Sequence, residues 1–352
     1  MKPWEKNIRQ VVPYVPGEQP NQADMVKLNT NENPYPPAPG VAALVKEFEA
    51  GCLRLYPDPS CKSLVEALAK RYHVGLDQVF VGVGSDDVLA TAFMTFFNSS
   101  LPIVFPDITY SFYDVWADLF KIPYQTMPLD EQFRINPRDY DAPNGGVIFP
   151  NPNAPTGIYE TIEVVEDILQ HNQDVIVIID EAYVDFAEGG SVQKLLEKYE
   201  NLLIVQTFSK SRSMAGMRIG FAIGSPDLIR AMNDVKYSYN SYTMNAAALH
   251  MGVAAVTDED YFQEKVELIC KTREEAKVRL EELGFTFTDS QTNFLFAAPS
   301  RISARELFEK LKERHIYVRF FDKPRINRYL RITVGTPKEM ERLYQAVAEI
   351  QG

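Results

Sequence analysis

The sequence predicts an α/β protein: a large domain with a mostly parallel sheet flanked by helices, then a smaller α+β C-terminal domain. Three observations lead there. Short runs of Val, Ile, Leu and Phe alternate with helical patterns from about residue 40 to about residue 225. Several runs are apolar at every position, as strands buried on both faces of a sheet should be. At residues 260–283 the pattern becomes one long charged amphipathic helix, ended by Gly284.

In chain order, the predicted strands are 79–83, 103–105, 147–149, 175–179, 202–205 and 219–223. Helical patterns at 86–97, 111–120, 161–171 and 192–199 separate them. Beyond 260–283 the sequence predicts two short strands and two helices, 304–314 and 338–350. The Pro-rich stretch 33–39 divides an N-terminal arm (1–32) from the large domain (33–255), and the small domain takes 256–352. At ~150 residues per domain, 352 residues suit two domains. No internal repeat is visible.

Composition narrows the class. With 45% apolar and 24% charged residues, the chain is neither disordered nor fibrous. A net charge of −12 argues against a nucleic-acid or anionic-membrane surface. Cys52, Cys61 and Cys270 are odd in number and lack CxxC spacing, which predicts a reducing compartment and no structural metal. The first residues contain no apolar signal region, and the uncharged stretches 88–106 and 237–257 are broken by polar residues. The expectation is a cytoplasmic protein.

Ligands of open α/β sheets bind beyond the C-terminal ends of the strands. After VFVGV come Gly84, Ser85 and Asp86, opening a helix whose free N–H groups suit a phosphate. Taken alone, these residues are more often plain N-capping by Ser85 or Asp86. After VIVII come Asp180 and Tyr183. After LLIVQ come Thr207, Ser209 and Lys210, with Arg218 eight residues past the lysine. Taken singly, such a lysine is most often a solvated charge. The coincidence of acid, lysine and helix-start cup at strand ends is what suits a pyridine aldehyde. Pyridoxal phosphate needs a lysine for its Schiff base, a carboxylate at the ring nitrogen and a phosphate cup. Tyr110, after another strand, could stack on the ring or simply pack. No GxGxxG or GxxxxGK[ST] occurs, which weighs against nucleotides.

NPNAPTG (151–157), DEAYVDF (180–186), TFSKSRSMAGMRIGF (207–221) and LRITVGT (330–336) together resemble the fold-type-I pyridoxal-phosphate aminotransferases. Within these, the chain is similar to the histidinol-phosphate aminotransferase family from VVPYVPG and LNTNENP onward. The resemblance implies transfer of an amino group between a phosphorylated amino alcohol, L-histidinol phosphate, and 2-oxoglutarate. Lys210 would carry the cofactor and move the proton, Asp180 would pair with the ring nitrogen, and Tyr183 would donate to the ring oxygen. Tyr110 would stack. Gly84, Ser85, Asp86, Thr207, Ser209 and Arg218 would hold the phosphate, joined by Tyr56 from a second subunit of a homodimer. Arg331 would bind the substrate anion, helped by Tyr14 and Arg319. An aromatic or broad-specificity aminotransferase, a threonine-phosphate decarboxylase and a non-catalytic pyridoxal-phosphate-binding regulator are the alternatives.

One departure stands out. The superfamily has Asn before Pro-Thr-Gly, and here that position is Ala154. Asn153 is expected to supply the missing donor to the ring oxygen, across an Ala154–Pro155 bond that is cis.

Overall fold

The computed structural model describes residues 2–352. The chain enters through β1 (Val26–Lys27), then α1 (Pro39–Glu47) and α2 (Lys62–Tyr72). Alternation begins with β2 (Val79–Gly82), α3 (Ser85–Phe96), β3 (Ile103–Pro106), α4 (Tyr113–Phe120) and β4 (Tyr124–Met127). It continues through β5 (Val147–Pro150), α5 (Ile162–His171), β6 (Val177–Asp180), β7 (Leu202–Thr207) and β8 (Gly220–Gly224). Helices α6 (Pro226–Tyr239), α7 (Ala246–Thr257) and α8 (Glu259–Glu282) follow. Next come β9 (Phe285–Phe287), β10 (Phe294–Pro299), α9 (Ala304–Glu313), β11 (Ile316–Tyr317), β12 (Arg319–Phe320), β13 (Leu330–Thr333) and α10 (Pro337–Gln351).

Strands β2 to β8 form one seven-stranded sheet in the order β2-β8-β7-β6-β5-β3-β4. Only β8 pairs antiparallel, with β2 on one side and β7 on the other, so the other strands all run one way. The C-terminal ends of β2, β3, β5, β6 and β7 therefore open on one edge. Val177, Ile178 and Ile179 are fully buried, as are Leu202 to Val205, because helices cover both faces. Each such side chain contributes ~1.5–3 kcal/mol of apolar burial, and that anchors the strand ends.

A four-stranded antiparallel sheet, β12-β13-β10-β9, packs with α8, α9 and α10 around its own core of Leu295, Leu307, Leu330, Ile332 and Leu343. Val26 and Leu28 of the N-terminal arm sit in that same core, and β1 pairs parallel with β11. Among the described residues, no helix is long and apolar enough to cross a membrane.

Three sequence expectations need correction. Residues 192–199 form a short 3-10 turn (Val192–Glu197) rather than an α-helix, because Val192 and Leu195 only tuck against the sheet. The C-terminal region holds five strands, not two, since β9, β11 and β12 are only two or three residues each and too short for any periodic signal. Strand β4 and helices α1, α2, α6 and α7 were not expected; β4 is exposed at its first three residues and lies at the sheet edge.

Candidate active site

The edge where the parallel strands end carries a cavity of about 730 Å³, counting its open mouth. It is lined by Ser85, Asp86, Tyr110, Asp180, Tyr183, Thr207, Ser209, Lys210 and Arg218, with Thr30, Glu32 and Ala154. A second cavity, lined by Tyr14, Arg319, Arg331 and Asn31, shares Thr30, Tyr110, Ala154, Tyr183 and Lys210 with the first. The two are compartments of one cleft.

Asp180 ends β6, where the fully apolar run meets the open edge. Its carboxylate accepts from the Tyr113 hydroxyl at 2.9 Å and from the Ala182 N–H at 3.2 Å. Burial raises its pKa to about 6, against the opposing pull of the Tyr113 bond. Lys210 lies three residues past the end of β7, and its Nζ donates to the Thr30 carbonyl at 3.1 Å. The ammonium stands 5.7 Å from the Tyr183 ring centroid.

The residues expected to form the phosphate cup converge. Gly84 is the N-cap of α3 at φ +84 and offers no side-chain cap, so neither Ser85 nor Asp86 caps the helix and its first N–H groups stay open. A Cβ at Gly84 would meet an Arg218 guanidinium nitrogen at 2.5 Å. Arg218 donates to Asp86 at 3.2 Å and to Ser209 Oγ at 3.4 Å, and Thr207 Oγ1 donates to Ser209 Oγ at 3.0 Å. Gly220, which opens β8, allows that strand to pass against the Gly84–Ser85 peptide, where a Cβ would sit 2.3 Å from Ser85 N.

Tyr110 donates to Asp86 at 2.8 Å and offers its ring to both compartments. At the far end, Arg319 and Arg331 are directly opposite each other on β12 and β13. Like charges in that position destabilise a strand pair unless an anion joins them. Arg331 donates to the Asn29 carbonyl at 2.9 Å, while its buried Nε has no partner. Burial lowers the Arg331 pKa, with Arg319 adding to the effect. Tyr14 stacks on Phe112 at 4.2 Å beside them.

Two expected residues stand apart. Tyr56 is 82% exposed, leans on Tyr242, and is absent from both cavity walls. Asn153 is corrected: its amide hydrogens are engaged by the Ile108 carbonyl and Thr156 Oγ1, both at 2.9 Å, so it holds its own loop instead of donating into the cavity. The Ala154–Pro155 bond is cis, as expected, and Ala154 itself lines the cleft. Tyr113, Thr30 and Asn31, which sequence reasoning passed over, bond to Asp180, Lys210 and Tyr183. Tyr113 stands three residues after Tyr110, one helical turn on, and Asn31 sits inside the quoted LNTNENP motif.

The Aminotransferase class I and II family profile matches residues 23–347. A histidinol-phosphate aminotransferase of Lactococcus lactis subsp. cremoris (strain SK11) is 49% identical over 346 residues, 98% of this chain and 97% of that protein. Histidinol-phosphate aminotransferase 2 of Dechloromonas aromatica (strain RCB) is 50% identical over 353 residues, 99% of each. Among solved structures, the histidinol-phosphate aminotransferase from Sinorhizobium meliloti in complex with pyridoxal-5'-phosphate superposes with a TM-score of 0.83. It is 24% identical, covering 92% of this chain and 90% of that one. The Clostridium acetobutylicum histidinol-phosphate aminotransferase gives 0.84 at 21% identity, covering 92% and 98%. The chain therefore belongs to the class I and II aminotransferases and, within them, to the histidinol-phosphate aminotransferase family.

Proposed function

We propose that the protein transfers the amino group between L-histidinol phosphate and 2-oxoglutarate, using pyridoxal phosphate, in histidine biosynthesis. The observation that carries the substrate reading is the Arg319–Arg331 pair, two guanidiniums opposed at one end of a cleft whose other end holds the lysine. Arginine forks bind carboxylate and phosphate alike, as an enzyme alternating between a phosphorylated amine and a dicarboxylate requires. The names of the relatives point the same way.

The residues fit the cofactor. An uncapped helix start, two hydroxyls and Arg218 form an anion cup at one wall, and a buried acid and a lysine stand along the floor. When bound, pyridoxal phosphate supplies an aldehyde that condenses with amines and a protonated ring that draws electrons from the Cα bond being broken. Lys210 is the lysine that would hold the cofactor and, when its amine is free, would move the proton at substrate Cα. Asp180, ionised, would hold the proton on the ring nitrogen, and Tyr113 and Ala182 keep its carboxylate aligned. Tyr183 would donate to the ring oxygen, and Tyr110 would cover the ring face. Gly84, Ser85, Asp86, Thr207, Ser209 and Arg218 would hold the phosphate. Arg331, with Arg319 and Tyr14, binds the substrate anion.

The functional unit in this reading is a cytoplasmic homodimer in which Tyr56 reaches the partner's phosphate cup. Exposed Leu53, Leu55, Tyr56, Tyr237, Tyr239 and Tyr242 support an apolar contact face, and three free cysteines support a reducing compartment. The arm (1–32), large (33–255) and small (256–352) domains remain the proposed units, supported by a core beneath the small sheet drawn only from the arm and residues 276–350.

A donor panel with 2-oxoglutarate as acceptor tests the assignment, using histidinol phosphate, phenylalanine, tyrosine and threonine phosphate. Histidinol phosphate should give the highest kcat/KM, and Arg319→Ala should weaken it far more than phenylalanine. A wild-type preference for phenylalanine, or carbon dioxide from threonine phosphate, would reject the reading.

A further inference from the structure

Asn31 is 1% exposed and adopts φ +58, a left-handed conformation that asparagine tolerates better than most residues. Its backbone N–H donates to Thr333 Oγ1 at 3.0 Å, and its carbonyl accepts from Asn293 Nδ2 at 3.0 Å. Its side chain is held at both ends. Oδ1 accepts from the Thr333 hydroxyl at 3.1 Å, and Nδ2 donates to Tyr183 Oη at 2.9 Å.

The direction of that last bond follows from counting hydrogens. The Thr333 hydroxyl already receives the Asn31 N–H, so its single proton goes to Asn31 Oδ1. Turning the amide over would point NH2 at Thr333 and strand the hydroxyl proton in a buried site. The NH2 end therefore faces Tyr183. An amide nitrogen donates and cannot accept, so Tyr183 Oη is the acceptor of this bond and its own proton must leave in another direction. Among the described residues Oη has no second hydrogen-bond partner, and Tyr183 lines both compartments of the cleft.

We infer that Asn31 is a positioning residue that compels the Tyr183 hydroxyl to donate into the cofactor cavity. This rests on the proposed role of Tyr183 as donor to the ring oxygen and adds what fixes its direction. The neighbouring carbonyls belong to the same device. Thr30 O receives Lys210 Nζ, and Asn29 O receives Arg331. Three consecutive residues of the N-terminal arm thus address the lysine, the tyrosine and the anion-binding arginine. The arm itself is anchored to the small sheet by β1 and by Leu28 O, which accepts from Thr333 N at 2.9 Å.

The test is a pH titration of the visible absorbance of cofactor-loaded protein, run for wild type, Asn31→Gly, Asn31→Asp, and each change combined with Tyr183→Phe. Both substitutions tolerate the positive φ. Asn31→Gly removes the donor without adding charge, and Asn31→Asp presents acceptors that pull the Tyr183 proton out of the cavity. With Tyr183 present, Asn31→Asp should raise the titration midpoint by about one pH unit, what the loss of one hydrogen bond to a charged group produces. Asn31→Gly should raise it by a fraction of a unit. In the Tyr183→Phe background the glycine shift should vanish, and the aspartate shift should shrink to the effect of its added charge. Equal shifts in both backgrounds, or a midpoint unmoved by either change with Tyr183 intact, would overturn the inference while leaving the cofactor reading in place. A wild-type protein that never takes up the chromophore would reject that reading, and this inference with it.

Discussion

Asp180 and Glu181 are consecutive, both buried, and both held above the ordinary carboxylate range by burial, at about 6 and about 7. Their surroundings differ. Asp180 faces the cleft with Lys210 and accepts from Tyr113 and Ala182 only. Glu181 points to the opposite side of the strand end, where Ser191 Oγ, Val192 N and Gln206 Nε2 donate to it at 2.7–2.8 Å. Gln206 in turn accepts from the Tyr72 hydroxyl at 2.7 Å. The carboxylate ringed by protein donors is a brace between β6, β7 and the 191–192 turn. The one left open toward a cavity is available to a ligand.

The largest effect that would sharpen this contrast lies across the cleft from Asp180. Lys210→Ala should cut turnover by roughly 10²–10⁴-fold or more, the usual weight of a positioned proton carrier. The cofactor should still bind noncovalently, and borohydride should no longer fix it to the 207–221 peptide. Covalent labelling at another lysine would move the site elsewhere.

Asp180→Asn comes next. It should lower single-turnover rates on the order of 10²-fold while leaving the fold intact, with Asp180→Glu retaining more. Near-normal rates in the asparagine variant would mean that Asp180 is a brace like its neighbour.

A smaller effect follows from pH. With its folded value at about 6 against an ordinary 3.8, Asp180 holds its proton more tightly in the folded apoprotein than in the unfolded chain. Its contribution to stability is therefore full at low pH and is lost as pH rises through about 6. Pairing with a ring cation needs the ionised form, so cofactor affinity should weaken below about pH 6, by up to ~10-fold per unit. Fluorescence titration of apoprotein with pyridoxal phosphate at pH 5 and pH 7 measures this. Asp180→Asn should flatten the dependence.

Glu181→Gln should be the mildest. It places an NH2 among three donors, so it should lower Tm by a few degrees. The chromophore midpoint and kcat should stay within about twofold of wild type, because no atom of Glu181 reaches the cleft. A large loss of turnover at normal cofactor affinity would erase the distinction between the two acids.

The sequence by itself determined the buried strands of the large sheet and the strand-end chemistry. Runs such as VIVII can only be buried on both faces, and a parallel sheet delivers their C-terminal ends to one edge. That is why Asp180, Tyr183, Lys210, Arg218 and Ser85 are legible in the sequence. What the tertiary structure decided was direction and pairing. Asp180 and Glu181 read alike as letters, and the alternation of the strand sends one to the cleft and the other to Gln206. Asn153 looked like a donor because of its position beside Ala154, but its amide hydrogens go to Ile108 and Thr156, contacts that exist only once the loop is folded. Asn31 meets Tyr183 across 152 residues of chain, and Arg319 meets Arg331 through two strands too short to leave a pattern. Local periodicity encodes which faces are buried. Hydrogen-bond partners distant in sequence are set by how the arm and the small sheet close over the large one, which no local window of the chain records.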